Sequence, residues 1–580
     1  MGHTSGLYTP GSVTRATTPR RDAAASEPAP HSRPDHLYSW VRRVTRGQSV
    51  QAATVAILLA ALATWVYGPH AIHGGFLSDG WSIRTLYEFA PEDGFFGRLQ
   101  YLLDQPNISP RPLQGVYLAL ENAIFGSHMG LWLAWQAATC VSMSLLLYVV
   151  LRQLRFRWLD AGLVAALVLI FPAATSIKLW TAPASGLTIA LVLAGFAVAL
   201  RAFEAGRWRF ALHGASLALF ASSLLLYEVA LPLMAASVLV YRLRVVWRPA
   251  IVRWLVDCAL LLPLALLVTR SESSSWEAQA SDGMLRHAEV FWDQSQTMLT
   301  AIVLPFGTDR WFALALIALI PAAALVLLWQ LPRLDPVRGD LRRWLLTIVG
   351  GLTVVALGYG IFVPAMDYYT PLGPGIANRI NAVPSIGWVL VLYGLVMLAA
   401  TMAFRGLPRA RQVASGAAVL ACIVVSASWL QIVDRDTDSF MRAYSEGQNV
   451  LGAVARAVPD PLPRSTIWTF GQPVEIAVGV PVFGNTWDMT SSVQLMYDDP
   501  TVESYVGHPG TTFACRSDGI VPGGPVYASE HPAQLAALTS SYGRTYFVDT
   551  VRGRAQAIRT PKQCRQARAS FPRSPALPPA

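Results

Sequence analysis

Lysine is almost missing from this chain. Only Lys178 and Lys562 occur among 580 residues, although Lys and Arg together number 45. The net charge of +10 is therefore carried by Arg and reads first as a codon bias. No basic stripe interleaved with aromatics accompanies it, which argues against nucleic acid as a partner. Charge of both signs is scarce: 14% of residues are charged and 53% are hydrophobic. Soluble domains carry about 25% charged residues. Mean hydropathy is +0.40. Single cores stop growing near ~250–300 residues, so one core cannot hide this apolar surplus, and a purely soluble fold is excluded. Zinc-site spacing is lacking as well, since His287, His508 and His531 are scattered. A cleavable signal peptide is not expected, because the first apolar run begins only near Val55. Residues 1–48 are rich in Pro, Ser, Thr and Arg and read as a disordered cytoplasmic tail.

What is present is a series of apolar runs. A bilayer core needs about 20 apolar residues per helix. Candidate spans fall at 51–69, 129–151, 159–176, 184–203, 210–226, 229–242, 254–269, 311–331, 344–363, 383–404 and 413–431. About eleven transmembrane helices are thus expected, in an all-α polytopic membrane bundle over 49–431. Glu228 followed by Pro232 predicts a reversal between two short spans.

Arginine supplies an independent reading of topology. Cytoplasmic loops are enriched in Lys and Arg. Every second loop here is basic: Arg42, Arg43 and Arg46; Arg152, Arg155 and Arg157; Arg201, Arg207 and Arg209; Arg242, Arg244, Arg248 and Arg253; Arg333, Arg338, Arg342 and Arg343; Arg405, Arg409 and Arg411. Alternate loops are acidic or mixed, with Asp79, Glu88, Glu92, Asp93 and Asp104 in one. The alternation places the N-terminus in the cytoplasm. It requires two spans, not one, between 210 and 242.

An odd span count leaves the C-terminal part outside. Residues 432–565 shift toward Gly, Pro, Ser, Thr and Asp, with strand-like runs at Thr466–Phe470 and Arg544–Val548 and a helical stretch at Ser439–Ala457. A small α/β soluble C-terminal domain is expected, with a fraying tail over 566–580. Cys140, Cys258 and Cys422 lie in spans, where a thiol behaves as a small apolar group. Cys515 and Cys564 lie in the outer domain, where disulfides form. A Cys515–Cys564 bridge is expected, with two free thiols as the alternative.

With the scattered histidines, two more patterns carry no site. Asp434–Asp438 lacks the Gly and closing Glu of a calcium loop and reads as a solvated stalk next to the membrane. Gly350–Gly351 and Gly358–Gly360 lie in a span and read as helix packing. Few charges fall at span centres, and Asp257, near the inner end of one, is the main exception.

The first outer loop, 70–128, is long, and long loops are usually functional or linkers. It opens on Phe76-Leu77-Ser78-Asp79-Gly80-Trp81, continues through an amphipathic stretch to Tyr101, then Ser109-Pro110-Arg111-Pro112-Leu113 and a helical run from Gln114 to Phe125. Interfacial helices suit this pattern. Asp79 is a candidate base, or else a helix cap. Glu92 and Asp93 read as solvated. Glu228 stands at the predicted outer turn, as a contact for an acceptor or as the ion-pair partner of an Arg. Outer cations are few: Arg379, Arg111, Lys178 and Arg84. Arg suits bidentate phosphate binding. For Arg379 the alternative is a salt bridge, and for Lys178 it is snorkelling from a span end. Trp81, Trp180 and Tyr368-Tyr369 are candidates for stacking on sugar faces or for an interfacial belt.

This layout resembles the GT-C class of membrane glycosyltransferases, which draw sugars from polyprenyl-phosphate carriers. The resemblance rests on the many spans, on Asp79 soon after the first span, on interfacial helices in that loop, on Arg111-Pro112-Leu113 later in it, and on the outer C-terminal domain. It implies a polyprenyl-phosphate sugar as donor and a glycan, lipid or protein as acceptor. Asp79 would be the catalytic base, and Arg379 with Arg111 or Lys178 would hold the phosphate. The class's usual acidic pair is incomplete here, because Ser78-Asp79-Gly80 offers one carboxylate. No metal ligand is assigned, and a divalent metal stays open. Two rivals remain. A polymerase or ligase using a diphosphate-linked carrier is disfavoured because the long loop is the first one. A transporter or flippase would show repeats and mid-membrane charge.

Overall fold

The structure is a computed structural model that describes residues 35–181, 184–270, 338–363, 375–405, 407, 410–484, 486–507, 512–523 and 539–571, with isolated positions 286, 288, 289 and 292. Two units divide the chain, Met1–Ala53 and Thr54–Ala580. The described part of the first is helical from Asp35. Apart from the start of the helix Gly47–His73, all that follows concerns the second.

Eight helices among the described residues are long and apolar enough to cross a bilayer: Gly47–His73, Met129–Gln153, Ser185–Ala202, Gly206–Leu226, Trp247–Val268, Gly339–Gly360, Ile376–Ala403 and Ala410–Ala457. This is what a membrane protein requires. Each coincides with an expected span.

Two other expected spans are not single long helices. Residues 159–176 hold a 12-residue helix, Trp158–Leu169. Phe171 then takes an extended conformation before Pro172, and a 3-10 turn and the short helix Ser176–Leu179 follow. The residue before a proline is driven out of the helical region. Residues 229–242 are broken into the turn Glu228–Ala230 and the helices Leu231–Ala235 and Ser237–Arg242. Twelve helical residues rise about 18 Å, against a hydrocarbon core of about 30 Å. The remaining expected span, 311–331, lies outside the described residues, as do Tyr368, Tyr369, His287, His508 and His531.

Small residues set the helix packing. A Cβ on Gly351 would lie 2.7 Å from the Gly387 carbonyl oxygen, and one on Gly387 would lie 2.5 Å from that of Gly351. The helices Arg338–Gly360 and Ala382–Ala403 therefore touch backbone to backbone. Gly358 also packs closely, against Pro384, whereas Gly350 and Gly360 face open space and need another reason. Asp257 is explained by its neighbours: Arg253 pairs with it at 2.9 Å and the Tyr241 hydroxyl donates to it at 2.6 Å.

The C-terminal domain is α/β. Its strands are β1 (Thr466–Phe470), β2 (Glu475–Ala477), β3 (Val480–Pro481), β4 (Glu503–Gly507), β5 (Thr512–Cys515), β6 (Ile520–Gly523), β7 (Thr545–Asp549) and β8 (Arg554–Ile558). The main sheet runs β4-β1-β7-β8, parallel except for the antiparallel β8. β1 is buried along its whole length, as expected where both sheet faces are covered. Ile467 and Val548 face one core, while Trp468 and Phe547 face the other. Cys515 and Cys564 form a disulfide with Cα atoms 5.9 Å apart, tying β5 to the helix Pro561–Ser570. That helix buries Ala567 and continues to Ser570, so 566–570 are helical and not a fraying tail, while 572–580 lie outside the described residues.

Two features join this domain to the membrane part. One helix, Ala410–Ala457, passes through the expected boundary at 431/432 without a break. Asp436, expected in a solvated stalk, is 4% exposed and accepts from the Thr175 hydroxyl at 2.8 Å. In addition, Phe76, Trp81 and Trp132 share a core with Val450, Val454, Val482, Met489 and Val548. The first loop and the soluble domain fold onto each other.

Candidate functional site

The first loop forms three helices, Asp79–Glu88, Gly94–Leu103 and Pro112–Phe125. The first starts at Asp79 after Ser78, whose φ is 47°. Asp79 does not cap it; Ser78 holds the cap position, without a side-chain cap bond. Asp79, Ser82, Ile83 and Leu86 then fall on one helical stripe, and all four line one cavity. The third helix repeats the device. Pro112 occupies its first turn, where a missing N–H costs nothing. Arg111, Gln114 and Leu118 line the same cavity.

Gln105, Asn107 and Ile108 join from the turn between the second and third helices, and four more elements close it. Trp180 and Ala184 come from the connection before Ser185–Ala202, Tyr227 from the break after Arg209–Leu226, Arg379 from the 3-10 turn Ile376–Asn381, and Trp487 from the C-terminal domain. The volume is about 480 Å³, within the range of ligand sites.

Each cation at this cavity has a defined setting. The Arg111 guanidinium makes two bonds to the Glu228 carboxylate, at 2.7 and 2.8 Å, and lies 5.0 Å from the Tyr227 ring centre. Such paired bonds fix the plane of the guanidinium. Arg379 lies over the Trp180 ring at 4.9 Å, and the Trp180 indole N–H is held by the Leu77 carbonyl at 2.9 Å.

The turn bearing Arg379 is clamped from behind. Asn378 accepts from the Ser176 N–H at 3.0 Å and donates to the Thr175 hydroxyl at 2.9 Å. Asn381 donates to the Ala173 carbonyl and accepts from the Tyr359 hydroxyl, both at 2.8 Å. Gly375, with φ 103°, meets Gly479 so closely that a Cβ would lie 2.4 Å from its carbonyl oxygen. Only glycine suits both the conformation and the approach.

The carboxylate end includes the C-terminal domain. The Trp487 indole N–H donates to Asp79 Oδ1 at 3.2 Å. Thr85 Oγ1 donates to the Ser491 carbonyl at 3.0 Å, which holds the helix Thr486–Tyr497 on the helix Asp79–Glu88.

The sequence candidates separate into two groups. Asp79, Arg111, Arg379 and Trp180 line the cavity, and Glu228 supports it through Arg111. Trp81, Arg84 and Lys178 do not line it. Trp81 is 6% exposed and packs edge-on against Phe76 at 5.6 Å, so it is a core residue and no sugar platform. Arg84 pairs with Glu88 and donates to Asn122 at 3.3 Å. Lys178 is 1% exposed, with its ammonium 5.9 Å from the Tyr67 ring centre. Among the described residues its Nζ has no hydrogen-bond partner. It snorkels to no surface. Glu92 and Asp93 are exposed.

Sequence reasoning missed Tyr227, Trp487, Asn378 and Asn381. Tyr227 adjoins Glu228 and was within reach of the same turn argument. Trp487 lies 408 residues from Asp79, and no local pattern marks it. Among the described residues no group of three or more His, Cys, Asp or Glu gathers as a metal set. Asp79 is the one carboxylate among the lining residues.

No family model matches the chain, and a search of the curated proteins finds no match either.

Proposed function

We propose that this chain is a membrane glycosyltransferase that moves a sugar from a polyprenyl-phosphate carrier to an acceptor hydroxyl at the outer face of the membrane. The observation behind this reading is that one carboxylate, Asp79, and two guanidiniums, Arg111 and Arg379, meet at one cavity. Glycosyl transfer needs a base for the acceptor proton and cationic groups for the departing phosphate.

On this reading Asp79 takes the hydroxyl proton as the acceptor oxygen bonds to the anomeric carbon. The bond from that carbon to the phosphate oxygen breaks, and its electron pair leaves on the polyprenyl phosphate. Arg111 and Arg379 face that charge. Glu228 and Tyr227 hold the Arg111 plane, and Trp180 holds Arg379.

The Arg-rich alternate loops orient the chain, with the N-terminus in the cytoplasm and 432–565 outside. The broken segments over 158–179 and 228–242 then complete crossings, because irregular backbone is tolerated at membrane depth where protein surrounds it.

The test uses full-length protein in nanodiscs with a radiolabelled polyprenyl-phosphate monosaccharide. Wild-type protein releases polyprenyl phosphate. Arg379→Ala raises the donor KM, by about tenfold or more for a lost charged hydrogen bond. A donor KM unchanged in Arg379→Ala and Arg111→Ala alike would remove the phosphate assignment.

A further inference from the structure

Trp487 is the cavity wall that the C-terminal domain supplies. It is 51% exposed, whereas Trp468, Tyr505 and Phe547 of the same domain are buried in its sheet core. Its place is fixed from both sides. The Asp488 carboxylate accepts from the Gly484 N–H at 3.1 Å and the Met489 N–H at 2.8 Å, which sets the start of its helix. The bond from Thr85 to the Ser491 carbonyl and a 3.4 Å contact between the Ser491 and Ser82 hydroxyls pin that helix to the one bearing Asp79. A large ring left half in water, on a rigid helix and facing a cavity, is pre-organised for a ligand.

Its contact with Asp79 decides which ligand. The indole N–H occupies one oxygen of the carboxylate, at 3.2 Å. A hydroxyl that gives its proton to Asp79 must come within hydrogen-bond reach of that carboxylate. The carbons next to that hydroxyl then lie against the indole. A sugar ring presents a face of C–H groups beside its hydroxyls and fills that position. A serine or threonine hydroxyl on a peptide brings a short side chain and a polar backbone, which the exposed ring does not complement.

We infer that Trp487 is the acceptor platform of the cavity, that the acceptor is a carbohydrate hydroxyl, and that the indole N–H also holds the Asp79 carboxylate in position. The inference rests on the glycosyltransferase reading for the role of Asp79. It makes the C-terminal domain part of the reaction site and assigns acceptor choice to it.

The experiment measures binding of methyl α-mannoside, methyl α-glucoside and methyl α-arabinofuranoside by saturation-transfer NMR. Full-length wild type, Trp487→Ala and Trp487→Phe in nanodiscs are compared, with a threonine-containing peptide as the rival ligand. At least one glycoside binds wild type. Trp487→Ala weakens it about tenfold, the loss of roughly one stacking contact. Trp487→Phe keeps binding within about threefold, because a ring remains, and its thermal midpoint shows that the fold is intact. In turnover assays Trp487→Phe lowers kcat more than it raises the acceptor KM, a split that a merely structural role would not give. Equal glycoside binding in all three proteins overturns the inference. So does a loss in Trp487→Phe as large as in Trp487→Ala, binding of the peptide alone, or no binding of any glycoside to wild type. Polyprenyl-phosphate binding to wild type and Arg379→Ala is read on the same preparations. Its independence of Arg379 would count against the glycosyltransferase reading while leaving the glycoside result to stand or fall by itself.

Discussion

Asp79 and Glu121 are both carboxylates of the first loop, and their surroundings give them opposite work. Asp79 is half-buried and faces the cavity. Replacing it with Asn keeps the shape and the bond from Trp487 but removes the base that the proposed mechanism requires. Turnover should fall by about 10²–10⁴-fold with donor binding retained; unchanged turnover would take Asp79 out of the mechanism. Glu121 is 3% exposed, with Oε1 3.4 Å from the Gln136 amide nitrogen and Oε2 without a partner among the described residues. Burial pushes its pKa well above the ordinary carboxylate value. The native state therefore binds a proton that the unfolded chain has released once pH exceeds about 4.5. Glu121 thus subtracts stability as pH rises from there toward its native pKa. Glu121→Gln removes this dependence. Its thermal midpoint should equal or exceed that of wild type at pH 8, and the gap should narrow toward pH 5. A gap that widens on acidification would contradict the assignment.

At the scale of elements, the turn Ile376–Asn381 shows how a charge is aimed. Arg379 does not hold itself; Asn378 and Asn381 bind it to the segment 173–176. Asn381→Ala removes one acceptor of the Tyr359 hydroxyl and the donor to the buried Ala173 carbonyl, which costs about 1 kcal/mol or more. The midpoint should fall and the donor KM should rise, while the proton-transfer step at Asp79 is spared. A lower kcat at unchanged donor KM would place Asn381 elsewhere in the mechanism. The two broken segments carry a related lesson. Hydropathy over 159–176 and 229–242 matched a span, but Pro172 and Pro232 decide where helix can run. Their interruptions deliver Trp180 and Tyr227 to the cavity.

Across the whole molecule, the unbroken helix Ala410–Ala457 and the core shared by Phe76, Trp132 and Val482 bind the C-terminal domain to the first loop. The domain is a wall of the site, not a tethered module. Its own integrity depends in part on the Cys515–Cys564 bridge, which closes a sequence separation of 49. A loop of that length is worth about 4 kcal/mol in the chain-entropy account. Cys564→Ser should therefore lower the thermal midpoint of the domain under oxidising conditions and leave it unchanged relative to wild type under full reduction. Equal midpoints in both conditions would show that the bridge carries no stability.

Taken alone, the sequence determined what is local or additive. Hydropathy sums over neighbouring residues, so the eight long apolar helices were legible. The β1 and β7 runs follow from the pattern within one segment. Scarcity of outer cations named Arg379, Arg111, Lys178 and Arg84, of which only the first two line the cavity. Tertiary structure alone decided which candidates meet. It turned Trp81 inward to a core, buried Lys178 away from the cavity, set Glu228 behind Arg111 and brought Trp487 across 408 residues to Asp79. The physical reason is that a side chain's role depends on what packs against it, and those partners come from segments whose pairing no local pattern encodes. The apolar surplus noted first, with so little Lys and so little charge, remains the reason the chain needs a membrane. What packing adds is a cavity where Asp79, Arg111 and Arg379 meet.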